Sequence, residues 1–287
     1  MNSQPHCEQA PDPTGLAVAR VAQQAAKPNT VILFGSRARG DHRPSSDVDL
    51  LVIYQKGYST PTSRIKRAIR EYFAEHPPEL GVDIIPMDEE RFNYARRAKN
   101  HVSAQALRDG IIMSGESLDF PNNFQDDYPE SWPDVKEKLQ AAHRQLNTFD
   151  RMMETGDFPQ EDYGFHAQQA VENAMKAWMS AAGINYRRIH DLEDAAESIL
   201  NHPGETNTLA AEQLRLLMDY TTVEVPNHPG EYENWLTKYA VTYRYEGTGF
   251  HMDDLETTKF RQEIMAAALT FANRAHELCG TDDSDLR

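Results

Sequence analysis

The sequence predicts an α/β domain followed by an all-α bundle, and three observations carry that reading. Short β-branched apolar runs bounded by Gly and Pro stop at Met113. From Trp132 onward, long segments place apolar residues at helical spacing. Between about Glu116 and Pro133 the periodicity disappears and turn residues such as Asp119, Pro121, Asn122, Asp126 and Pro129 dominate.

Taken in order, Gly15 to Ala26 reads as a helix ended by Pro28-Asn29. Thr30-Val31-Ile32-Leu33-Phe34 is a short buried strand halted by Gly35. Asp47 to Tyr54 is a second strand, apolar enough at Leu50 to Ile53 to be buried on both faces. Thr62 to Glu75 is helical up to Pro77-Pro78. Val82 to Ile85 is a third strand, expected to stop at Pro86. A helical stretch in two pieces follows from Glu89 to Leu107, and Ile111-Ile112-Met113 suits an edge strand. In the second half, helices are expected over 134–154, 160–182, 190–200, 207–220, 230–242 and 255–278, with no comparable strand.

Charge divides the chain in the same place. The net charge is −16, yet residues 1–118 hold 15 Lys/Arg against 14 Asp/Glu, while the remainder holds 14 against 31. So acidic a C-terminal half repels nucleic acid at long range, although the first half could hold a phosphate-rich substrate. No apolar run approaches the roughly 18 residues that span a bilayer. Cys7 and Cys279 form no framework, and no two histidines stand at metal spacing within one helix. These features fit a reducing, cytoplasmic setting.

The chemistry concentrates on carboxylates. Asp47 and Asp49 lie two apart on a strand, so both side chains leave one face. Carboxylates held so close repel one another unless a divalent cation lies between them. Asp83, on the next short strand, is placed to join them, and three such groups with Mg²⁺ suit in-line phosphoryl or nucleotidyl transfer. Gly35 permits close backbone approach to a phosphate, Ser36 offers a cap or a phosphate contact, and Arg37 and Arg39 add charge for a leaving pyrophosphate.

Gly35-Ser36-Arg37-Ala38-Arg39-Gly40, then ten residues from Ser36 to Asp47, then Asp47-Val48-Asp49-Leu50-Leu51-Val52, resembles the minimal nucleotidyltransferases of the DNA polymerase β-like superfamily. The resemblance implies an α+β fold, a small mixed sheet with flanking helices, and transfer of a nucleoside monophosphate from an NTP such as ATP. It gives phosphate contact to Gly35 and Ser36, metal binding to Asp47 and Asp49, and the third carboxylate, as base or ligand, to Asp83. The acceptor is open: a small molecule, a protein or RNA.

The helical half carries Phe165-His166-Ala167-Gln168-Gln169-Ala170-Val171-Glu172-Asn173-Ala174, Lys176-Ala177, Gly183-Ile184 and His190-Asp191-Leu192, which resembles the HEPN family of helical bundles. Together the resemblances imply a nucleotidyltransferase domain over 14–116, a linker over 117–131 and a HEPN-like domain over 132–280. Some HEPN proteins are ribonucleases with an Arg-x(4–6)-His motif, which Arg244 and His251 match. Arg37/His42, Arg70/His76 and Arg96/His101 match it equally, so only location singles out Arg244 and His251. In the related toxin–antitoxin pairs a tyrosine two residues after the histidine is modified; here that residue is Asp253. The helical half is otherwise expected to help bind nucleotide or acceptor, to act as a ligand- or partner-binding module, or to form a homodimer.

The remaining features have plainer readings. Arg64, Lys66, Arg67 and Arg70 read as a solvated basic face, with a grip on an acceptor nucleic acid as the alternative, and Arg96, Arg97 and Lys99 likewise. Tyr163, His166 and Trp178 are candidates for a pocket or for helix packing. Leu214, Leu217, Met218, Trp235, Tyr239 and Tyr243 suit the bundle core or a dimer face.

Overall fold

A computed structural model describes residues 11–26, 30–54, 62–74, 81–113, 128–186, 190–225, 228–240 and 254–287. Its contacts divide the chain into two compact units, Met1–Asp127 and Tyr128–Arg287.

The first unit is an α+β fold. Helix α1 (Pro13–Ala26) starts on a proline, whose fixed φ suits the first turn, and Asp12 Oδ2 accepts the Gly15 N–H at 2.9 Å as its cap. Strand β1 (Thr30–Phe34) leads into the single turn α2 (Ser36–Arg39), then β2 (Val48–Tyr54), α3 (Thr62–Tyr72) and β3 (Val82–Asp88). Helices α4 (Glu89–Ala95) and α5 (Val102–Asp109) and strand β4 (Ile111–Met113) complete the unit. The sheet order is β3-β2-β1-β4, with β2 and β3 parallel and the other pairs antiparallel: a mixed sheet.

Period-two alternation gives the sheet two covered faces. Val31, Leu33, Val48, Leu50 and Val52 meet Val18 and Val21 of α1 and Ile65 and Ile69 of α3. Ile32, Phe34, Leu51, Ile53 and Met87 meet Phe92 of α4 and Val102 and Ala106 of α5. The expectation that Pro86 ends the third strand is corrected, since β3 runs through it to Asp88 with Pro86 opposite Val52. Because β3 is an edge strand, a residue without an N–H can sit there at no loss to the ladder.

The second unit is mostly helical: α6 (Trp132–Thr155), α7 (Gln160–Ala181), α8 (Leu192–Leu200), α9 (Leu209–Thr221), the one-turn α10 (Trp235–Lys238) and α11 (Asp254–Cys279). Ala167, Ala170, Ala174 and Ala177 bury one side of α7, which packs on α6 and α11 around Trp132, Phe149, Trp178, Phe260 and Phe271. Trp178 is core, its Nε1–H donating to Glu205 Oε2 at 2.8 Å. Leu214, Leu217, Trp235 and Tyr239 are also buried. The helix expected over 230–242 is corrected. A two-stranded hairpin, β5 (Thr222–Glu224) with β6 (Tyr232–Asn234), precedes the short α10. The β-branched pair Thr222-Val223 and the turn through His228 to Gly230 favour a hairpin locally, and helical spacing of Trp235 and Tyr239 masked it.

Candidate functional site

The site residues of the first unit collect at the edge where β2 and β3 begin. Asp49 and Asp83 are register partners on those parallel strands, so their side chains leave the sheet on the same face, strands about 4.8 Å apart. That face is the one covered further along by α4 and α5; at this end Asp83 is exposed and Asp49 half-exposed. Asp49 also stands opposite Phe34 of β1, which places it beside the turn that follows that strand.

Gly35 makes the turn possible. Its φ of 76° with ψ of −159° lies in a region essentially reserved for glycine. A Cβ at that position would collide with the Asp49 carboxylate, so the missing side chain is the space the carboxylate occupies. Ser36 opens α2, and its carbonyl accepts from the Gly40 and Asp41 N–H groups, which closes the turn. Its hydroxyl forms no hydrogen bond with any described residue. Asp47 precedes β2, is exposed, and lies against Gly81, whose carbonyl accepts the Val48 N–H at 2.9 Å.

Arg37 is corrected from its expected place on a leaving pyrophosphate. It is 3% exposed, and all its nitrogens are taken. Nη1 donates to Asp12 Oδ2 at 2.5 Å, Nε to the Ser46 carbonyl at 2.8 Å and Nη2 to the Pro44 carbonyl at 3.1 Å. The guanidinium therefore moors the loop that delivers Ser46-Asp47 to the cap of α1, a fork geometry that suits arginine. Burial alone would raise the Asp12 carboxyl, but the Gly15 N–H and Arg37 outweigh it and hold it below the usual carboxylate range. Arg39 is exposed, with only its Nε engaged, on Asp41 at 3.1 Å. Sequence reasoning missed Asp12 and Gly81. Neither carries a motif signal of its own, because their partners lie 25 and 34 positions away along the chain.

Carboxylate oxygens are the donors that hard divalent cations such as Mg²⁺ take, and two of the three share a register position beside a glycine notch. Among the described residues no three His, Cys, Asp or Glu side chains gather as a metal-ligating group, because Asp47 turns to Gly81. The donor chemistry is of the kind Mg²⁺ takes, with Asp49 and Asp83 side by side and Asp47 apart from them against Gly81.

The second unit holds a buried ionic cluster to which sequence reasoning gave no role. Glu172 and Lys176, 3% and 8% exposed, pair at i,i+4 along α7 at 2.5 Å. Glu172 also accepts from Gln168 at 2.7 Å and meets His190 Nδ1 at 2.9 Å. Burial would raise the Glu172 carboxyl, but the His190 hydrogen bond and the Lys176 charge bring it below its usual range. The same hydrogen bond raises His190 above its ordinary value, against partial burial. Asp191 caps α8, so the His190-Asp191-Leu192 turn is fixed from both sides. His166 Nδ1 meets Gln145 Oε1 at 2.5 Å, a contact between α7 and α6, and Tyr163 lies half-buried beside Phe260. Arg244, His251 and Asp253, with Tyr243, lie outside the described residues, as does the expected linker up to Asp127.

A family profile described as a HEPN domain matches residues 135–281. The chain belongs to the HEPN family. A second profile, described as a nucleotidyltransferase domain, matches residues 18–107, so this HEPN domain follows a nucleotidyltransferase domain in one chain. No curated protein matches the chain. No helix among the described residues is long and apolar enough to cross a membrane.

Proposed function

We propose that this HEPN-family chain transfers a nucleoside monophosphate from an NTP to an acceptor hydroxyl, at the edge formed by Gly35-Ser36, Asp47, Asp49 and Asp83. The observation that carries the reading is the register pairing of Asp49 with Asp83, with the Asp49 carboxylate packed in the space left by Gly35. Two acidic groups opposite one another on adjacent strands each raise the cost of the other's charge, a cost that a bound divalent cation would relieve.

Asp47, Asp49 and Asp83 would hold Mg²⁺, which when bound neutralises triphosphate charge that the protein would otherwise have to meet alone. The chain's own groups supply the rest. The Gly35-Ser36 turn lets backbone N–H groups and the Ser36 hydroxyl approach phosphate oxygens without a side chain in the way. Arg39, exposed and only partly engaged, is the cation available to the departing pyrophosphate. Asp83, the most open of the register pair, takes the acceptor's proton. The acceptor oxygen then bonds to the α-phosphorus, the bond from that phosphorus to the bridging oxygen breaks, and pyrophosphate leaves. Arg37 and Asp12 act one step back, by holding the loop that positions Asp47.

The test is transfer of label from α-³²P NTPs, each supplied with Mg²⁺, to a cell extract and to the protein itself. Asp49→Asn should lower transfer by about a thousandfold, equivalent to about 4 kcal/mol of barrier, while the thermal unfolding midpoint stays at or above that of the parent. Undiminished transfer by Asp49→Asn would refute the assignment.

A further inference from the structure

Cations are scarce in this chain, 29 Lys/Arg against 45 Asp/Glu, and most that matter to the fold are matched. Arg37 pairs with Asp12, Lys176 with Glu172, Lys238 with Glu233, Arg261 with Asp150 and Arg274 with Glu205. Helix α3 departs from this pattern. Arg64, Lys66, Arg67 and Arg70 are all exposed, and none forms an ion pair or hydrogen bond with any described residue. Only one acid, Glu71, stands among its eleven residues. The neighbouring α1, which packs against α3, adds exposed Arg20 and no acid.

A merely solvated helix face usually interleaves signs, because opposite charges at i,i+3 and i,i+4 support the helix and like charges oppose it. Here Arg64/Arg67, Arg67/Arg70 and Lys66/Arg70 are like-charged pairs at those spacings. The repulsion is relieved when a polyanion lies along the face. At the C-terminal end Tyr72 is 64% exposed, its ring edge-on to Phe73 rather than buried against the sheet.

The topology brings one end of this face to the end of the sheet where the carboxylates lie, although α3 covers the opposite sheet face from Asp49 and Asp83. Parallel neighbours β2 and β3 both begin at the carboxylate edge, so the chain must travel back to that edge between them. Helix α3 makes that return, and its last turn, with Arg70 and Tyr72, therefore lies at the end of the sheet that carries Asp47, Asp49 and Asp83. Arg64 to Arg70 covers about 9 Å of helix, close to three steps of a nucleic-acid strand at about 3.4 Å each. Three of the four cations are arginines, which grip phosphate with two donors, and an exposed aromatic ring is a platform for an unstacked base.

We infer that the outer face of α3 is a nucleic-acid-binding surface for a single strand, its C-terminal end lying at the carboxylate end of the sheet. The strand's role as the acceptor rests on the transfer proposed above; the binding itself does not. This takes up the alternative reading of these exposed residues, a grip on an acceptor nucleic acid. Release of phosphate counterions by these cations makes the binding steeply dependent on salt.

The experiment measures fluorescence anisotropy of a 5′-labelled, mixed-sequence single-stranded RNA with the full chain, without NTP or Mg²⁺. Four phosphate contacts on a single strand predict that affinity falls about fiftyfold between about 50 and about 200 mM salt. In Arg64→Gln/Arg67→Gln/Arg70→Gln the fall over the same range should shrink to about threefold, the signature of one remaining contact. Affinity at low salt should drop by more than tenfold, with circular dichroism unchanged. Asp49→Asn should bind the RNA as the parent does; parent-like binding with no transfer by either protein would remove the transfer reading and leave this surface standing. Absence of binding by the parent at low salt, or equal binding by the triple variant, would overturn the inference. So would loss of concentration-dependent self-association, seen by light scattering, with RNA binding unaltered, because the face would then belong to a second copy of the chain.

Discussion

Among the described residues each unit holds one ion pair with both members buried, and the two pairs do different work. Arg37–Asp12 joins residues 25 positions apart and ties the loop before β2 to the cap of α1. Glu172–Lys176 joins neighbours one turn apart on α7 and engages Gln168, Gln169, Tyr186 and His190, all within the same unit. The first pair ends in the geometry of an exposed carboxylate edge. The second ends in the stability of a helical bundle. Buried charge in a small domain is costly, so where it persists the useful question is what its removal would displace.

That contrast is open to a direct attack, beginning with the largest effect. Lys176→Ala leaves Glu172 buried without its cation, and breaking a buried pair by removing one member costs about 3–5 kcal/mol. The helical unit should lose that much stability in chemical denaturation, while the proposed transfer by the first unit persists. A loss under 1 kcal/mol would show that solvent or His190 already compensates the carboxylate.

Arg37→Lys keeps the charge but loses the fork that reaches Asp12, Ser46 and Pro44 together. Its predicted cost in stability is smaller, about 1–2 kcal/mol. Its mark is elsewhere: a raised Mg²⁺ requirement for transfer, because the loop before Asp47 is loosened. Equal stability loss with an unchanged Mg²⁺ requirement would make Arg37 as purely structural as Lys176.

The smallest effect is a dependence on pH. His190 has a raised folded-state pKa, so its contribution is complete below the ordinary histidine value of 6.5 and is lost as pH rises through the folded value. Glu172, lowered, contributes above its ordinary 4.5 and loses that contribution as pH falls through its folded value. The second unit should therefore be most stable in the mildly acidic window between the two. His190→Gln should flatten the alkaline side of that profile, and an unchanged slope above neutrality would assign it to another group.

Much of this architecture was legible in the chain. The strands Thr30–Phe34 and Val48–Tyr54 announce themselves because both of their faces are buried, which makes their runs continuously apolar. The Gly35-Ser36 turn and Asp49 beside it follow from strand periodicity, whereas Asp47, expected on the same strand, precedes β2 and lies against Gly81. The helical half was equally open to reading from its apolar spacing, apart from the hairpin around Thr222 and Tyr232. There two short strands, with three residues each, fall below the length at which a period of two can be told from helix.

Which residues bear on one another was decided only in three dimensions. Nothing in a linear pattern distinguishes Arg37, folded inward onto Asp12, from Arg39, left outside two residues later, because the difference lies in a helix cap far from both. Nor does spacing reveal that Asp83 sits beside Asp49, since their adjacency is a register choice made by packing the β2–α3–β3 crossover. The sequence determined the elements, the charge of each half and the identity of the acidic groups, because those depend on local periodicity and composition. The tertiary structure decided which charges are spent on the fold and which remain at its surface, because pairing is a matter of distance in space and not along the chain.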